Sequence, residues 1–163
     1  MLAASNTSPI SNLAIIGHLA LLRSQFEAIW IPEAVQAELR AVPNPSAAAS
    51  IAQAFREGWI TLRAVCDERI VRLLEAGLHR GEAEAIALGL ELPADLVLLD
   101  ERAGRSAAER LGLRVTGVLG ILLRAKMQGS IPRLESEIEA LRNQAHFFIA
   151  ARLEDQLLRS AGE

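Results

Sequence analysis

Short apolar runs and longer runs with helical spacing take turns along this chain. Leu2 to Ser5 form a first apolar run, Asn6-Thr7-Ser8-Pro9 follows, and Ile10, Leu13, Ala14, Ile16, Leu19 and Leu22 then recur at roughly helical spacing. Ser8 suits a helix N-cap and Pro9 the first helical position, so the turn is expected on Asn6 and Thr7. Gly17 is expected to divide the stretch into two short helices. "AIWI" at 28–31 reads as a second strand, and Pro32 with "EAVQAELR" restarts a helix in the same way. Beyond the loop "VPNPSAAAS" a helix is expected over 47–57, and "GWITLRAV" supplies a third strand.

Residues 67–77 read as a helix ending at Gly77. "HRGEAEAIALGLEL" begins another near Gly81, with apolar positions dense enough for a buried helix that crosses the sheet. "ADLVLLD" runs through four consecutive apolar residues and stops at Asp100, the pattern of a strand covered on both faces. A helix over "ERAGRSAAERLG", a short fifth strand in "LRVTG", a helix over "VLGILLRAKMQG" closed by Gly129 and another over 132–144 follow. The segments 117–126 and 149–158 have amphipathic stripes suited to core, dimer or partner contact.

Alternating strands and helices imply a parallel sheet with right-handed crossovers and helices on both faces. Ligand sites in such sheets lie beyond the carboxyl ends of the strands. Asn6 follows the first strand and Asp100 with Glu101 follows the fourth, while Glu38 and the pair Glu82 and Glu84 lie on helices around them. Carboxylates gathered there would repel one another, and a hard divalent cation would relieve the repulsion. Mg²⁺ or Mn²⁺ prefers oxygen ligands and can activate water against a phosphodiester. Glu84, in the first turn after Gly81, is read as a helix-start charge alone.

Composition narrows the choices. Hydrophobic residues make up 51% of the chain and aromatic ones 4%, so the core must be aliphatic. A length of 163 residues suits one domain, 1–163, without disulfide or structural metal. Cys66 alone excludes an internal disulfide and a cysteine-rich zinc site; it is expected to be a buried, inert thiol. His18, His79 and His146 lack ligand spacing and are read as ordinary packed or surface residues, which argues against zinc hydrolysis. The net charge of −3 is not that of a protein binding nucleic acid by charge alone. A local rim of Arg80, Arg102 and Arg105 could still grip phosphates. With no basic segment before an apolar stretch and no apolar run of spanning length, the reading is a cytoplasmic protein with no membrane contact. No glycine-rich phosphate loop follows any strand, which sets a nucleotide-binding reading aside.

Taken in order, "SNTSPISNLAIIGHLALL", "IPEAVQAEL", "HRGEAEAIALGLEL", "LVLLDERAGRSAAERLGL" and "VTGVLGILLRAKMQGSIP" resemble the PIN-domain superfamily, in particular the branch serving as toxins of toxin–antitoxin pairs. The resemblance implies a three-layer α/β/α fold with a central parallel sheet of four or five strands and a homodimer. It also implies Mg²⁺- or Mn²⁺-dependent cleavage of single-stranded RNA, with a small antitoxin as partner. Glu38, Glu82 and Asp100 match the second, third and fourth acids of the pattern, with Glu101 auxiliary. Thr7 or Ser8 matches the hydroxyl residue beside the first acid. Asn6 stands where the pattern has Asp, so the resemblance assigns it a weaker, neutral ligand position. The alternative is a module that binds RNA or a protein and has lost catalysis with that acid.

Overall fold

The computed structural model describes residues 1–163. Strands β1 (Leu2–Ser5), β2 (Ala28–Ile31), β3 (Ile60–Leu62), β4 (Leu96–Leu98) and β5 (Val115–Thr116) form one sheet in the order β3-β2-β1-β4-β5, every pair parallel. The chain builds outward from β1 through β2 and β3, then crosses to the other side of β1 for β4 and β5. The switch point therefore lies at the carboxyl ends of β1 and β4, where a parallel sheet leaves a crevice.

The strands alternate between two aliphatic cores. Ala3, Ile29, Ile31, Leu96 and Leu98 face the larger one, under α1 (Thr7–Ile15), α2 (Ala20–Gln25), α4 (Pro45–Arg56), α8 (Val118–Met127) and α9 (Leu134–Gln144). Ala4, Val97 and Leu99 face the second, under α6 (Arg80–Glu91) and α7 (Arg102–Arg110), with α5 (Glu68–Leu74) packed outside α6. These are the three layers. The helix α3 (Glu33–Arg40) touches both α1 and α6, and α10 (Ala151–Ala161) lies over α8 and α9. No helix is long and apolar enough to cross a membrane.

Central helix α6 is buried from Gly81 through Gly89. A Cβ on Gly89 would come within 2.5 Å of the Val97 side chain, so glycine there lets α6 lie close on β4. The small Ala3 and Ala4 of β1 allow helices to approach on both faces.

Two sequence expectations change in detail. Helix α1 begins at Thr7 with Asn6 as its N-cap, and Ser8 lies inside the first turn because its hydroxyl donates to Asp100 instead of capping the helix. Pro9 still fits, since the first turn leaves its N–H groups without intrahelical partners. Cys66 is exposed, not buried: it sits in the β3–α5 loop, held there by its backbone N–H on the Glu91 carboxylate. Gly17 and Gly129, at φ of 77° and 73°, end α1 and α8 as their positions suggested.

Candidate active site

At the carboxyl ends of β1 and β4 a pocket of about 220 Å³ is lined by Asn6, Thr7, Ser8, Ser11, Glu38, His79, Glu82 and Glu101, without one apolar side chain. Topology delivers each of them. Asn6 directly follows β1, and its backbone N–H donates to Leu98 O at 3.0 Å, which fixes the turn against β4. Glu38 comes from α3, whose start is set by Pro32. Glu82 is the third residue of α6, and Glu101 is the N-cap of α7.

The side chains of Asn6 and Glu38 converge on Gly81. A Cβ built there would lie 3.1 Å from Asn6 Oδ1 and 2.5 Å from Glu38 Oε1. Glycine is what leaves both oxygens room. Glu82 is almost fully buried, at 3% exposure. Its Oε2 accepts the backbone N–H of His79 at 3.3 Å, while its Oε1 has no partner. Burial raises its carboxyl above the usual range, the negative charge of Glu101 and, less strongly, that of Glu38 raise it further, and the His79 N–H and imidazole pull it back.

Two buried side-chain polar atoms in the whole molecule lack a hydrogen-bond partner, Glu82 Oε1 and Thr7 Oγ1. Both belong to residues lining this pocket. Buried polar atoms are nearly always satisfied, so two orphans beside one pocket call for a partner from outside the chain, a water or an ion. The lining offers carboxylate, amide and hydroxyl oxygens, the donor set of a hard divalent cation. No three Asp, Glu, His or Cys side chains come together closely enough to hold an ion by themselves. Any ion here would draw on the neutral oxygens as well.

Asp100 is placed elsewhere. Its Oδ2 accepts from the Ser8 hydroxyl at 2.7 Å and from Asn12 Nδ2 at 3.4 Å, and its Oδ1 from the Val118 N–H at 2.7 Å. It lines a separate cavity of about 430 Å³ with Arg105, Thr116, Gly117 and, from α10, Leu153 and Leu157. Burial raises its carboxyl, against the lowering by those three bonds and by Arg105. Thus the structure brings Asn6, Thr7, Ser8, Glu38, Glu82 and Glu101 together and sets Asp100 behind them.

The three arginines also divide. Arg80 is committed to Glu84, Glu68 and Glu75, and Arg105 donates to Leu99 O at 3.0 Å. Arg102 forms no ion pair and stands on the exposed side of α7. Glu84 is more than a helix-start charge: it is buried, and its Oε2 accepts the Ala34 N–H at 3.0 Å, tying α6 to the start of α3. Among residues passed over in the sequence, His79 and Ser11 line the pocket and Asn12 holds Asp100. His79 stands three residues before Glu82, at the start of the same helix, and that nearness was the available signal.

A three-layer parallel fold with an acidic, oxygen-lined pocket at its switch point defines an α/β protein whose chemistry would rest on carboxylates. The chain matches the DUF3368 family, a PIN domain, over residues 2–163, and it belongs to that family. PIN domains have a nuclease-type fold and generally use divalent metals. No curated protein and no solved structure matches the chain.

Proposed function

We propose that this protein is a divalent-metal-dependent ribonuclease that hydrolyses phosphodiesters of single-stranded RNA, with Mg²⁺ or Mn²⁺ as its ion. The observation that carries the reading is the buried carboxylate of Glu82, with one oxygen unpartnered, in the lining of a pocket whose other walls present Glu38, Glu101 and the Asn6 amide. Glu82 and Glu38 with the Asn6 amide oxygen would hold the ion, Glu101 would add charge beside them, and the Thr7 hydroxyl, which lacks a partner, would orient a water. When bound, such an ion supplies charge for the phosphate oxygens and acidifies a water. The protein's own part is positional: Glu82 is locked at the start of α6, and Asn6 is locked by its bond to Leu98 O. In this reading Asp100 is a positioning residue that holds Ser8, Glu101 supplies the acid at the end of β4, and Arg102 is the arginine left to meet phosphate. A toxin role, a small antitoxin partner, a homodimer and a cytoplasmic setting rest on the resemblance of the quoted segments and on composition. A short neighbouring reading frame would support the first two.

A second reading is an RNA- or protein-binding module without turnover. It is favoured by the neutral Asn6 at the centre of the pocket and by the lack of three converging acids. Labelled single-stranded RNA with Mn²⁺ separates the two. Cleavage by the wild type that is lost in Glu82→Gln and Glu38→Gln, and increased in Asn6→Asp, supports the nuclease. Absence of cleavage in both wild type and Asn6→Asp supports the module.

A further inference from the structure

Beside the acidic pocket runs a groove of about 610 Å³ between the end of α5 and the exposed face of α7. Its floor is apolar, with Leu73, Leu74 and Leu78 from one side and Ala103 and Ala107 from the other. Leu73 is 77% exposed and stands with Leu74 and Leu78 in one lining, so the apolar surface here is a patch and not a lone side chain. Arg102, Ser106 and Arg110 line the α7 side at intervals of four residues, hence on one face. Neither arginine takes part in an ion pair.

The groove and the pocket are lined by neighbouring residues of the chain at two points. Leu78 lines the groove and His79 the pocket; Arg102 lines the groove and Glu101 the pocket. A linear molecule with one bond over the acids would therefore have this groove as its neighbouring surface. Its chemistry must be anionic along one edge, to meet two arginines roughly 12 Å apart along the α7 axis at 1.5 Å per residue. It must also present flat apolar faces to the leucines. A nucleic-acid single strand has both features, whereas a duplex keeps its base faces stacked inside.

We infer that the α5–α7 groove binds the nucleotides flanking the reacting phosphate of a single-stranded RNA, with Arg102 and Arg110 on phosphates and Leu73 under a base. The inference rests on the ribonuclease reading but is tested apart from catalysis. Fluorescence anisotropy of a labelled ten-nucleotide RNA is measured in EDTA over a range of NaCl, for the wild type, Arg110→Gln and Leu73→Ser. Both substitutions are on exposed side chains, and circular dichroism checks the fold.

Arg110→Gln lowers the slope of log affinity against log salt by about 0.7, the value of one single-strand phosphate contact. Leu73→Ser weakens binding several-fold at every salt concentration and leaves the slope unchanged. A hairpin duplex binds more weakly and does not respond to Leu73→Ser. Wild-type affinity and slope in both variants overturn the groove, and so does a wild type that binds no single strand. A wild type that binds through the groove but cleaves nothing with Mn²⁺ or Mg²⁺ overturns the catalytic reading and leaves the groove standing.

Discussion

The Ser8 hydroxyl donates to Asp100 Oδ2 at 2.7 Å and so fastens the first turn of α1 to the end of β4. Because Asp100 Oδ1 also takes the Val118 N–H, one carboxylate joins the starts of two helices to the sheet. In this arrangement it ties the two helix starts to one strand end.

Asp100→Ala should therefore destabilise the fold. The change leaves the Val118 N–H and the Ser8 hydroxyl without their acceptor, while Asn12 Nδ2 keeps Ser8 Oγ at 3.0 Å, and one unsatisfied buried group costs about 1–3 kcal/mol. A loss of roughly 2–4 kcal/mol in urea unfolding is expected, with the Mn²⁺-induced rise in Tm retained. A stable variant that no longer responds to Mn²⁺ would instead make Asp100 a ligand.

Glu82 should give the pH dependence. Its carboxyl is raised above 4.5 by burial first and by the charge of Glu101 next, so the native state holds that proton more tightly than the unfolded chain. Its stabilising contribution is complete below pH 4.5 and is lost as pH rises through the folded value. Glu82→Gln should match the wild type in Tm at pH 4 and exceed it at pH 7. Mn²⁺ at a hundredfold excess over its Kd should then raise the wild-type Tm at pH 7, through about 2.7 kcal/mol, by roughly 5–10 °C, and the variant by less. Equal stability at pH 7 without metal would show that Glu82 carries no strain.

The sheet was legible because its strands are short aliphatic runs that stop at polar turns; "LVLL" before Asp100 has few other uses. The pocket was legible as far as topology reaches, since residues after β1 and β4 must meet at a switch point. Which of Asp100 and Glu101 faces the pocket was not. Adjacent residues leaving a strand point to opposite sides, and the choice was made by Ser8, Asn12 and Val118, which lie far away in sequence. Glu84 was underread for a similar reason, its partner Ala34 being fifty positions away. Cys66 was misjudged because a thiol is commonly buried, while its loop has no neighbouring side chains that cover it.

Glu163 should support the start of α9. Its carboxylate accepts the Leu134 and Glu135 N–H groups at 2.8 and 3.0 Å and pairs with Lys126 Nζ at 2.9 Å. The Glu135 and Leu134 bonds, followed by that of Lys126, pull its carboxyl down to about 2. Since the folded value is depressed, the stabilisation is present above 4.5 and fades as pH falls toward 2. Glu163→Gln should lower the Tm at pH 7, with the gap to the wild type closing on acidification. A gap that stays constant down to pH 2.5 would reject a charge-based cap.

Gly81 offers a way to disturb the pocket while leaving the fold in place. Replacing a helical glycine by alanine ordinarily gains about 1 kcal/mol. Here the new methyl would press on Glu38 Oε1 and Asn6 Oδ1, while its next contact, Val35 Cγ2 at 3.5 Å, is comfortable. Glu38 is exposed and can swing away, so Gly81→Ala should stay within about 1 kcal/mol of wild-type stability. The cost should fall on the ion, because Glu38 can no longer stand beside Asn6. The Mn²⁺-induced rise in Tm should shrink in Gly81→Ala and survive in Gly77→Ala, where a methyl meets open space. An undiminished response in Gly81→Ala would mean that the ion does not use Glu38 and Asn6 together, and the pocket would need a different set of ligands.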